Sequence, residues 1–382
     1  MATITLPYGA EPYQFAVSDH VLVEPPAVPA PASNPLRLAR RALDLPIGGT
    51  RLDERVHADD RVVIIVSDDS RADPRATLIR ALRERLPNVN LTVAIANGTH
   101  GPCEVEELEL AIDDGVRVVN HDCDDRASLV VIGQSRRGTP FAVHRCIAEA
   151  DWVIATGCIR PHYFAGFGGG CKAVFPGLGG RTEIRRNHAL KCEGGAQPGE
   201  VQDNPCRRDM EEVLEHLPGE AFLLNLVVDS HEYVHYAVAG DVVAAFRHGA
   251  ELCRPLHQVA ARPSTLIVAS ATLPVAASLY QASKIVAAVA GLLAPGGTLV
   301  LAAECGDGVG GVDVVNRAIY DIGLRPRLPT EHEILLVSSL TREVVEPTYC
   351  GWAPSVQAVL SQHPGQVPTI VPQAAELLVV RV

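Results

Sequence analysis

The chain has 382 residues, 47% of them hydrophobic, so it can bury a substantial core. At roughly 150 residues per domain, this length predicts two domains. Acidic residues outnumber lysine and arginine by 45 to 33, which gives a formal net charge of −12. This charge opposes nucleic acid as a partner and leaves only local basic sites for phosphate or carboxylate groups.

The cysteines and the first residues predict the compartment. The ten cysteines include no CxxC pair, and the opening MATITLPYGAEPYQF lacks the basic flank and apolar run of a signal peptide. We therefore expect a cytoplasmic protein. The most apolar stretch, IVAAVAGLLAP at 285–295, is too short to cross a bilayer, so no membrane partner is expected.

The predicted elements begin after a Pro/Ala-rich stretch at 24–35, which predicts an extended surface segment. From Arg61 onward, short β-branched runs alternate with amphipathic segments, which is typical of parallel sheets with crossover helices. The runs are RVVIIV (61–66), LTVAIA (91–96), DWVIAT (151–156), TLIVAS (265–270), TLVLAA (298–303) and EILLVSS (333–339).

The first predicted helix follows RVVIIV, with Asp73 as its cap, Pro74 in its first turn and leucines at 78, 82 and 86 on one face. Pro263 and Ser264 precede a new strand and predict the start of a second domain. The expected fold is therefore two α/β domains, 1–262 and 263–382, with mostly parallel sheets and an active-site cleft between them. The final LLVVRV is expected to be a strand that returns to the first domain.

Polar clusters follow four of the apolar runs directly. In open α/β sheets, ligands bind outside the carboxyl ends of the strands, so clusters at several strand ends predict one shared pocket. The clusters are SDDSR (67–71), NGTH (97–100), GCIRPHYFAGFGGGCK (157–172) and ECGDGVGG (304–311).

The glycine run within 157–172 does not fit either common nucleotide motif. A P-loop requires GxxxxGK followed by Ser or Thr, whereas Cys171 precedes Lys172 and Ala173 follows it; the GxGxxG spacing fails as well. Two interpretations stay open. The segment is either a turn with a solvated lysine or a backbone stretch that approaches a flat or anionic group, with Lys172 placed for pairing or covalent bonding.

Three histidines and one helical segment complete the candidate residues. His100 and His162 follow strand ends and His188 lies further along, and imidazole suits both proton transfer near neutral pH and metal ligation. No HExxH or Cys/His zinc pattern is present. In YQASK (280–284), Tyr280, Gln281 and Lys284 share one helix face, and the lysine either extends to solvent or turns into the cleft opposite Arg71.

Together these motifs resemble the lactate racemase family, whose members use a nickel-pincer nucleotide. The resemblance rests on SDDSR, NGTH, HYFAGFGGGCKAVFPG with His188 downstream, and YQASK followed by PGGTLVLAAECGDG. It runs in order from LPIGGTRL near residue 45 to residue 311, with ten positions from His162 to Lys172 and sixteen from Lys172 to His188.

For the cofactor, the resemblance implies nickel pyridinium-3,5-bisthiocarboxylic acid mononucleotide. Lys172 is similar to the lysine that can join this nucleotide through a thioamide, and His188 to the protein's own nickel ligand. Gly168 and Gly169 would let the backbone lie against the cofactor. Further cofactor positions are Asp68 and Phe164.

For the substrate, the resemblance implies that His100 and His162 are paired acid/base residues and that Arg71 and Lys284 hold a carboxylate. Tyr280 and Gln281 match positions around the substrate. Two departures bear on this: the family often reads Thr-Arg-Pro where this chain has Ser70-Arg71-Ala72, and Cys171 has no role in the pattern.

The implied reaction inverts C2 of a small 2-hydroxy acid, lactate or a similar short acid, through a 2-keto acid and reversible hydride transfer to the cofactor. Proteins that build the cofactor would be loading partners. Malate or a sugar-derived acid is the alternative substrate. A metal hydrolase using His100, His162 and His188, or a carrier of the nickel nucleotide, are the alternative functions.

Overall fold

The computed structural model describes residues 1–86, 88–113 and 115–382, which form two compact units. One unit joins Met1–Ala27 to His257–Val382, and the other is Val28–Leu256. The strands are β1 (Ala2–Leu6), β2 (Tyr13–Val17), β3 (Val21–Leu22), β4 (Arg61–Ser67), β5 (Asn90–Ala96), β6 (Arg117–Asn120), β7 (Leu129–Gln134), β8 (Pro140–His144), β9 (Trp152–Ile159), β10 (Pro161–His162), β11 (Gly166–Phe167), β12 (Glu220–Val228), β13 (Val234–Gly240), β14 (Gln258–Ala261), β15 (Ser264–Ser270), β16 (Leu293–Ala302), β17 (His332–Val337), β18 (Gly351–Trp352), β19 (Thr369–Val371) and β20 (Leu378–Arg381). The α-helices are α1 (Pro35–Asp44), α2 (Arg75–Arg83), α3 (Arg145–Ala148), α4 (Arg181–Ala189), α5 (Pro205–Glu211), α6 (Val242–His257), α7 (Leu279–Val289), α8 (Arg342–Val345) and α9 (Val356–Gln362), and a π-helical segment spans Val314–Leu324.

The unit Val28–Leu256 is built on a six-stranded sheet with the order β13-β12-β9-β4-β5-β6. Adjacent strands of this sheet run parallel, except that β12 and β13 form an antiparallel hairpin. Strand β9 is buried along its whole length, as expected of a parallel strand covered on both faces. From β4 the chain proceeds to β5 and β6 on one side and returns to β9 on the other. The direction of winding therefore reverses between β4 and β9, the place where open α/β sheets bind ligands.

The other unit contains a second six-stranded sheet, parallel throughout, with the order β18-β17-β16-β15-β19-β3. Helix α7 packs in its core because Leu279, Ile285 and Val286 are fully buried together with residues of the central strands. The antiparallel hairpin β1–β2 packs its apolar face against a second group of buried residues in the same unit.

The predicted α/β class with mostly parallel sheets is confirmed, whereas one helix start was predicted wrongly. Helix α2 begins at Arg75 with Pro74 at the cap position, and Asp73 makes no capping bond. The Asp73 carboxylate instead binds Arg160 across the unit. A helix cap is worth about 1 kcal/mol, whereas leaving one partner of a buried ion pair without the other costs about 3–5 kcal/mol, so the contact with Arg160 prevails.

The two units divide the chain differently from the predicted boundary at 262 and 263. Met1–Ala27 belongs with the C-terminal residues because β3 pairs with β19. The last strand, β20, pairs with β14, and both strands lie in the unit that holds the chain's C-terminal part. In the described part of the chain, no helix combines the length and the apolar character that a membrane crossing requires.

Candidate active site

A pocket of about 260 Å³ lies at the carboxyl ends of β4, β5 and β9, within the unit Val28–Leu256. Three of the polar clusters predicted from the sequence line it. They contribute Ser67 at the end of β4 with Asp68, Ser70 and Arg71 after it, Asn97 to His100 after β5, and Arg160, His162, Gly168, Gly169 and Lys172 after β9. His188 of α4 completes the wall. The fourth cluster belongs to the other unit, where the Glu304 carboxylate accepts a hydrogen bond from the Ala10 amide.

Asp68 and His100 form a hydrogen-bonded pair on this pocket. The distance from His100 Nδ1 to Asp68 Oδ2 is 2.6 Å, and the Ser70 hydroxyl donates to Asp68 Oδ1 at 2.6 Å. Burial would raise the pKa of Asp68, but the bonds from His100 and Ser70 outweigh it and the pKa is lowered. An ionised Asp68 can only accept, so His100 donates from Nδ1, and the neutral form of the ring has its lone pair on Nε2. The predicted cofactor residue Asp68 is thus in contact with a predicted acid/base residue.

The loop that carries Arg71 is held by the buried side chain of Arg75. Its guanidinium donates to the carbonyl oxygens of Ser67 at 2.8 Å and of Arg71 at 2.6 Å, and to that of Asp68. Since Arg75 is only 8% exposed, these bonds form away from water. The Arg75 side chain therefore supplies hydrogen-bond donors to the backbone carbonyl oxygens of the turn that follows β4. This turn is where the chain departs from the family's Thr-Arg-Pro.

His162 lies in a tight hairpin formed by β10 and β11, where it pairs with Gly166. Its Nδ1 accepts a hydrogen bond from the Ala165 amide at 3.2 Å. Because a backbone amide can only donate, the proton of the neutral ring resides on Nε2. His100 and His162 thus present opposite hydrogen-bonding capacity at Nε2, the first an acceptor and the second a donor.

Phe164 is surrounded by the other candidate residues of this segment. Its buried ring meets the rings of His162 and His188 edge to face, with centroid distances of 4.6 and 4.8 Å, and lies 5.8 Å from Lys172 Nζ. Burial, Arg207 and Arg71 lower the pKa of Lys172 to about 7. Burial and the charge of Lys172 lower the pKa of His188 to about 3. His188 is therefore a neutral imidazole near pH 7, the form that binds metals.

The glycine loop, residues 165–170, is held by hydrogen bonds from two side chains that were not predicted from the sequence. Arg207, fully buried, donates to the carbonyl oxygens of Ala165 at 3.3 Å and Gly169 at 3.2 Å, and to that of Phe167. Asn225 Oδ1 accepts from the Gly170 amide at 2.9 Å. Both side chains lie more than thirty residues along the chain from the glycine loop. No local sequence motif predicts that they contact it.

Packing within the protein requires glycine at two positions of the loop, independently of the predicted approach of the backbone to a cofactor. A Cβ at Gly169, where φ is 80°, would lie 2.6 Å from Asn225 Oδ1, and a Cβ at Gly170 would lie 2.9 Å from the ring of Phe246. The protein's own packing therefore requires glycine at both positions. Gly168 differs, because a Cβ there would make only ordinary contacts of 3.6 Å or more.

Cys171, which had no role in the family pattern, is buried beneath the loop. Its Sγ lies 3.8 Å from Arg207 Nη1. Burial raises the pKa of its thiol to about 12. The thiol therefore stays protonated at neutral pH and is a packing group rather than a nucleophile.

Arg160 is a further pocket residue that sequence reasoning missed. It lies between two carboxylates, with Nη2 2.5 Å from Asp73 Oδ1 and 2.8 Å from Glu232 Oε2. Arg160 immediately precedes Pro161 and His162, so its position in the motif was the available signal.

The remaining candidate residues lie on α7 of the other unit. Ser278 caps this helix through the Gln281 amide, and Lys284 Nζ donates to Gln281 Oε1 at 2.6 Å. Tyr280 is 42% exposed. The predicted face shared by Gln281 and Lys284 is thus present as a direct hydrogen bond.

The donor set of the pocket does not form a metal site from side chains alone. Within residues 1–86, 88–113 and 115–382, Asp122, Cys123 and Asp124 are the only His, Cys, Asp or Glu group close enough to share an ion. His100, His162 and His188 do not form such a group, so the three-histidine centre of the hydrolase alternative is not assembled in the described residues.

Comparison with known proteins identifies relatives over most of the chain. A family model described as the lactate racemase N-terminal domain matches residues 8–198. Two proteins named lactate racemase, from Thermoanaerobacterium thermosaccharolyticum and Lactiplantibacillus plantarum, are each 30% identical over 326 residues. The alignments cover 81% of this chain and 76% and 77% of those proteins.

Solved structures agree with this comparison. The lactate racemase apoprotein from Thermoanaerobacterium thermosaccharolyticum matches with a TM-score of 0.87 and 25% identity over 99% of this chain and 100% of that one. A protein from Thermotoga maritima matches with a TM-score of 0.65 and 19% identity over 91% of this chain and 98% of its own, which supports the fold alone.

Proposed function

The chain belongs to the lactate racemase family, and on that premise we propose that it is an isomerase that inverts C2 of a short 2-hydroxycarboxylate such as lactate. The observation that carries the proposal is that two histidines line the same pocket as Arg71. In their neutral forms the two rings differ at Nε2, which is an acceptor in His100 and a donor in His162. His100 is backed by Asp68 at 2.6 Å, and His162 is oriented by the Ala165 amide at 3.2 Å. The two relatives named lactate racemase are isomerases by name.

The chemistry explains why the reaction would need these groups. The hydrogen on C2 of a 2-hydroxycarboxylate is very weakly acidic because the neighbouring carboxylate is already anionic. If that hydrogen leaves as hydride while a base takes the hydroxyl proton, the product is a planar 2-keto acid. Return of the hydride to the other face, with return of a proton to oxygen, inverts the centre without a carbanion.

The histidines and Arg71 have distinct parts in this proposal. His100, with its Nε2 lone pair, would accept the hydroxyl proton, and Asp68 would stabilise the imidazolium that forms. His162, in its imidazolium form, would return a proton to the keto oxygen and be left as a neutral ring. Arg71 would hold the carboxylate through its planar fork while the rest of the molecule rotates. We also assign Lys284, Gln281 and Tyr280 to substrate binding, on the strength of the family motif.

The residues fit the nickel-pincer nucleotide that the family implies. His188 is a neutral imidazole beside Phe164, and it offers a single protein ligand, which suits a metal whose other ligands come from an organic group. Lys172 has a pKa of about 7, so a large fraction of its amine is uncharged and nucleophilic near neutral pH. When bound, the nucleotide would supply the hydride acceptor. Gly168 and Gly169 border the space it would enter.

A chiral assay of lactate tests the function. The protein is purified from cells whose cytoplasm also contains the cofactor-building proteins. We expect it to convert either enantiomer of lactate to the other. His100→Ala and His162→Ala should each lower the rate about 10²- to 10⁴-fold, the usual worth of a general acid or base. A carrier of the nickel nucleotide would bind cofactor normally, racemise nothing and be indifferent to both substitutions.

Intact mass and nickel content test the cofactor separately. Nickel together with an added mass that maps to Lys172 supports the covalent assignment. Nickel with a nucleotide that dissociates on denaturation would limit Lys172 to non-covalent binding. Protein without nickel or nucleotide, under conditions in which a known family member loads, would contradict the cofactor assignment.

A further inference from the structure

The pocket wall carries a three-residue ionic cluster formed by Asp73, Arg160 and Glu232. Arg160 Nη2 lies 2.5 Å from Asp73 Oδ1 and 2.8 Å from Glu232 Oε2. The side chains of Asp73 and Arg160 are 6% and 11% exposed, whereas that of Glu232 is 36% exposed. Asp73 and Arg160 both line the pocket. An arginine on a pocket wall would ordinarily be a site for a ligand carboxylate.

Here the charge of Arg160 is already more than balanced. One guanidinium faces two carboxylates, so the cluster carries a net charge of −1 when all three groups are ionised. Burial would raise the pKa of Asp73, but Arg160 and hydrogen bonds from Ser67 and Cys158 outweigh it, and the pKa is lowered. Asp73 therefore remains a carboxylate at neutral pH. A second anionic group brought to this wall meets repulsion rather than a free cation.

From this arrangement we propose that the cluster restricts the pocket to monocarboxylates and that Asp73 is its specificity-determining residue. The inference deepens the proposed function and rests on it, because it supposes that Arg71 takes the first carboxylate. A short 2-hydroxy acid with an apolar remainder, such as lactate, fits this wall. A 2-hydroxy dicarboxylate such as malate does not.

Asp73 is assigned this part, rather than Glu232, because of where the two carboxylates lie. Asp73 is buried and borders the pocket, whereas Glu232 approaches Arg160 from the β12–β13 hairpin and is partly exposed to solvent. Water screens an exposed charge more strongly than a buried one. Removal of the Asp73 charge should therefore change the wall more than removal of the Glu232 charge.

The Asp73–Arg160 pair also joins two functional segments, which is a structural role that the test must separate. Asp73 is two residues from Arg71, and Arg160 is two residues from His162. If loss of the pair distorted these segments, the binding of every ligand would weaken to the same extent. Loss of charge balance would instead create a new preference, for dicarboxylates, that depends on the Arg160 cation.

The experiment compares two unreactive ligands, succinate and propionate, which differ by one carboxylate. Their dissociation constants are measured by calorimetry on cofactor-loaded wild type, Asp73→Asn, Glu232→Gln and the double variant Asp73→Asn/Arg160→Gln. We expect Asp73→Asn to shift the ratio toward succinate by about tenfold, Glu232→Gln by about threefold, and the double variant to return to the wild-type ratio. The ratio of kcat/KM for malate and lactate should move in the same direction.

Two results would overturn the inference. One is a ratio within twofold of wild type in a folded Asp73→Asn protein, and the other is a shift that persists in the double variant. If Asp73→Asn does not fold, Glu232→Gln at its partly exposed position decides, and an unchanged ratio there counts against the cluster. Because binding needs no turnover, a chain that fails to racemise lactate would refute the proposed function while leaving this ratio measurable.

Discussion

Replacement of Asp68 by asparagine tests the most specific contact in the site. The substitution keeps the size of the side chain and an oxygen that can accept from His100 Nδ1, but it removes the negative charge at 2.6 Å. In the proposed mechanism, His100 gains a positive charge when it accepts the substrate proton. The charge of Asp68 therefore matters more in the transition state than in the resting enzyme.

The expected loss follows from burial and distance. A hydrogen bond to a charged acceptor is roughly twice as strong as a neutral one, which would be worth about 2–3 kcal/mol in a dry site. The His100 side chain is 58% exposed, so solvent screening reduces this to about 1–2 kcal/mol. We expect kcat/KM to fall about 5- to 30-fold. The loss must be equal in both directions, because the equilibrium constant between enantiomers is fixed by symmetry.

The assay is the initial rate of lactate racemisation in each direction, normalised to bound nickel. Ser70→Ala is the matched control, because it removes the other hydrogen bond to Asp68 and leaves the carboxylate; it should cost less than about threefold. Activity of Asp68→Asn within twofold of wild type, or an equal loss in Ser70→Ala, would refute this role of the Asp68 charge.

Three further predictions concern the supports of the site and its stability. Arg75→Gln leaves several carbonyl oxygens of one loop without their donor, so urea unfolding should report about 2–4 kcal/mol less stability; a loss below 1 kcal/mol contradicts the assignment. Gly169→Ala should cost about 2–4 kcal/mol because of its positive φ and its approach to Asn225, whereas Gly168→Ala should cost less than about 1 kcal/mol, and equal effects would contradict the packing argument. Burial lowers the pKa of His144 from 6.5 to about 4, so the folded state resists protonation and stability is lost as pH falls through that interval. His144→Asn removes this titrating side chain. The unfolding free energy lost between pH 7 and pH 4, measured by urea unfolding, should therefore be about 2 kcal/mol smaller than in wild type, and equal losses in the two proteins would contradict this role of His144.

The pocket was predictable because the β-branched runs and the polar clusters that follow them are both visible in the sequence. SDDSR, NGTH and the segment at 157–172 each follow a β-branched run, and parallel neighbours bring their carboxyl ends to one edge. Convergence of the three clusters requires only that β4, β5 and β9 be adjacent. It does not require knowledge of any single side-chain contact.

The supports of the pocket were not predictable from the same signals. Asp73 resembles a helix cap locally, and only the fold brings it to Arg160, which lies 87 residues further along the chain. Arg207 stands in an ordinary helical sequence, and its bonds to the glycine loop depend on tertiary packing. The grouping of Met1–Ala27 with the C-terminal residues was not visible in the sequence either, because β3 and β19 are too short for their pairing to be predicted.

Conversion of L-lactate carrying deuterium at C2 by cofactor-loaded protein in ordinary water distinguishes hydride transfer from proton abstraction. We predict that D-lactate forms and keeps its deuterium, because the hydrogen on C2 moves as hydride without exchange with solvent. No D-lactate from protein that carries nickel and nucleotide would contradict the proposed activity. D-lactate that has lost its deuterium would contradict the hydride route and indicate proton abstraction instead.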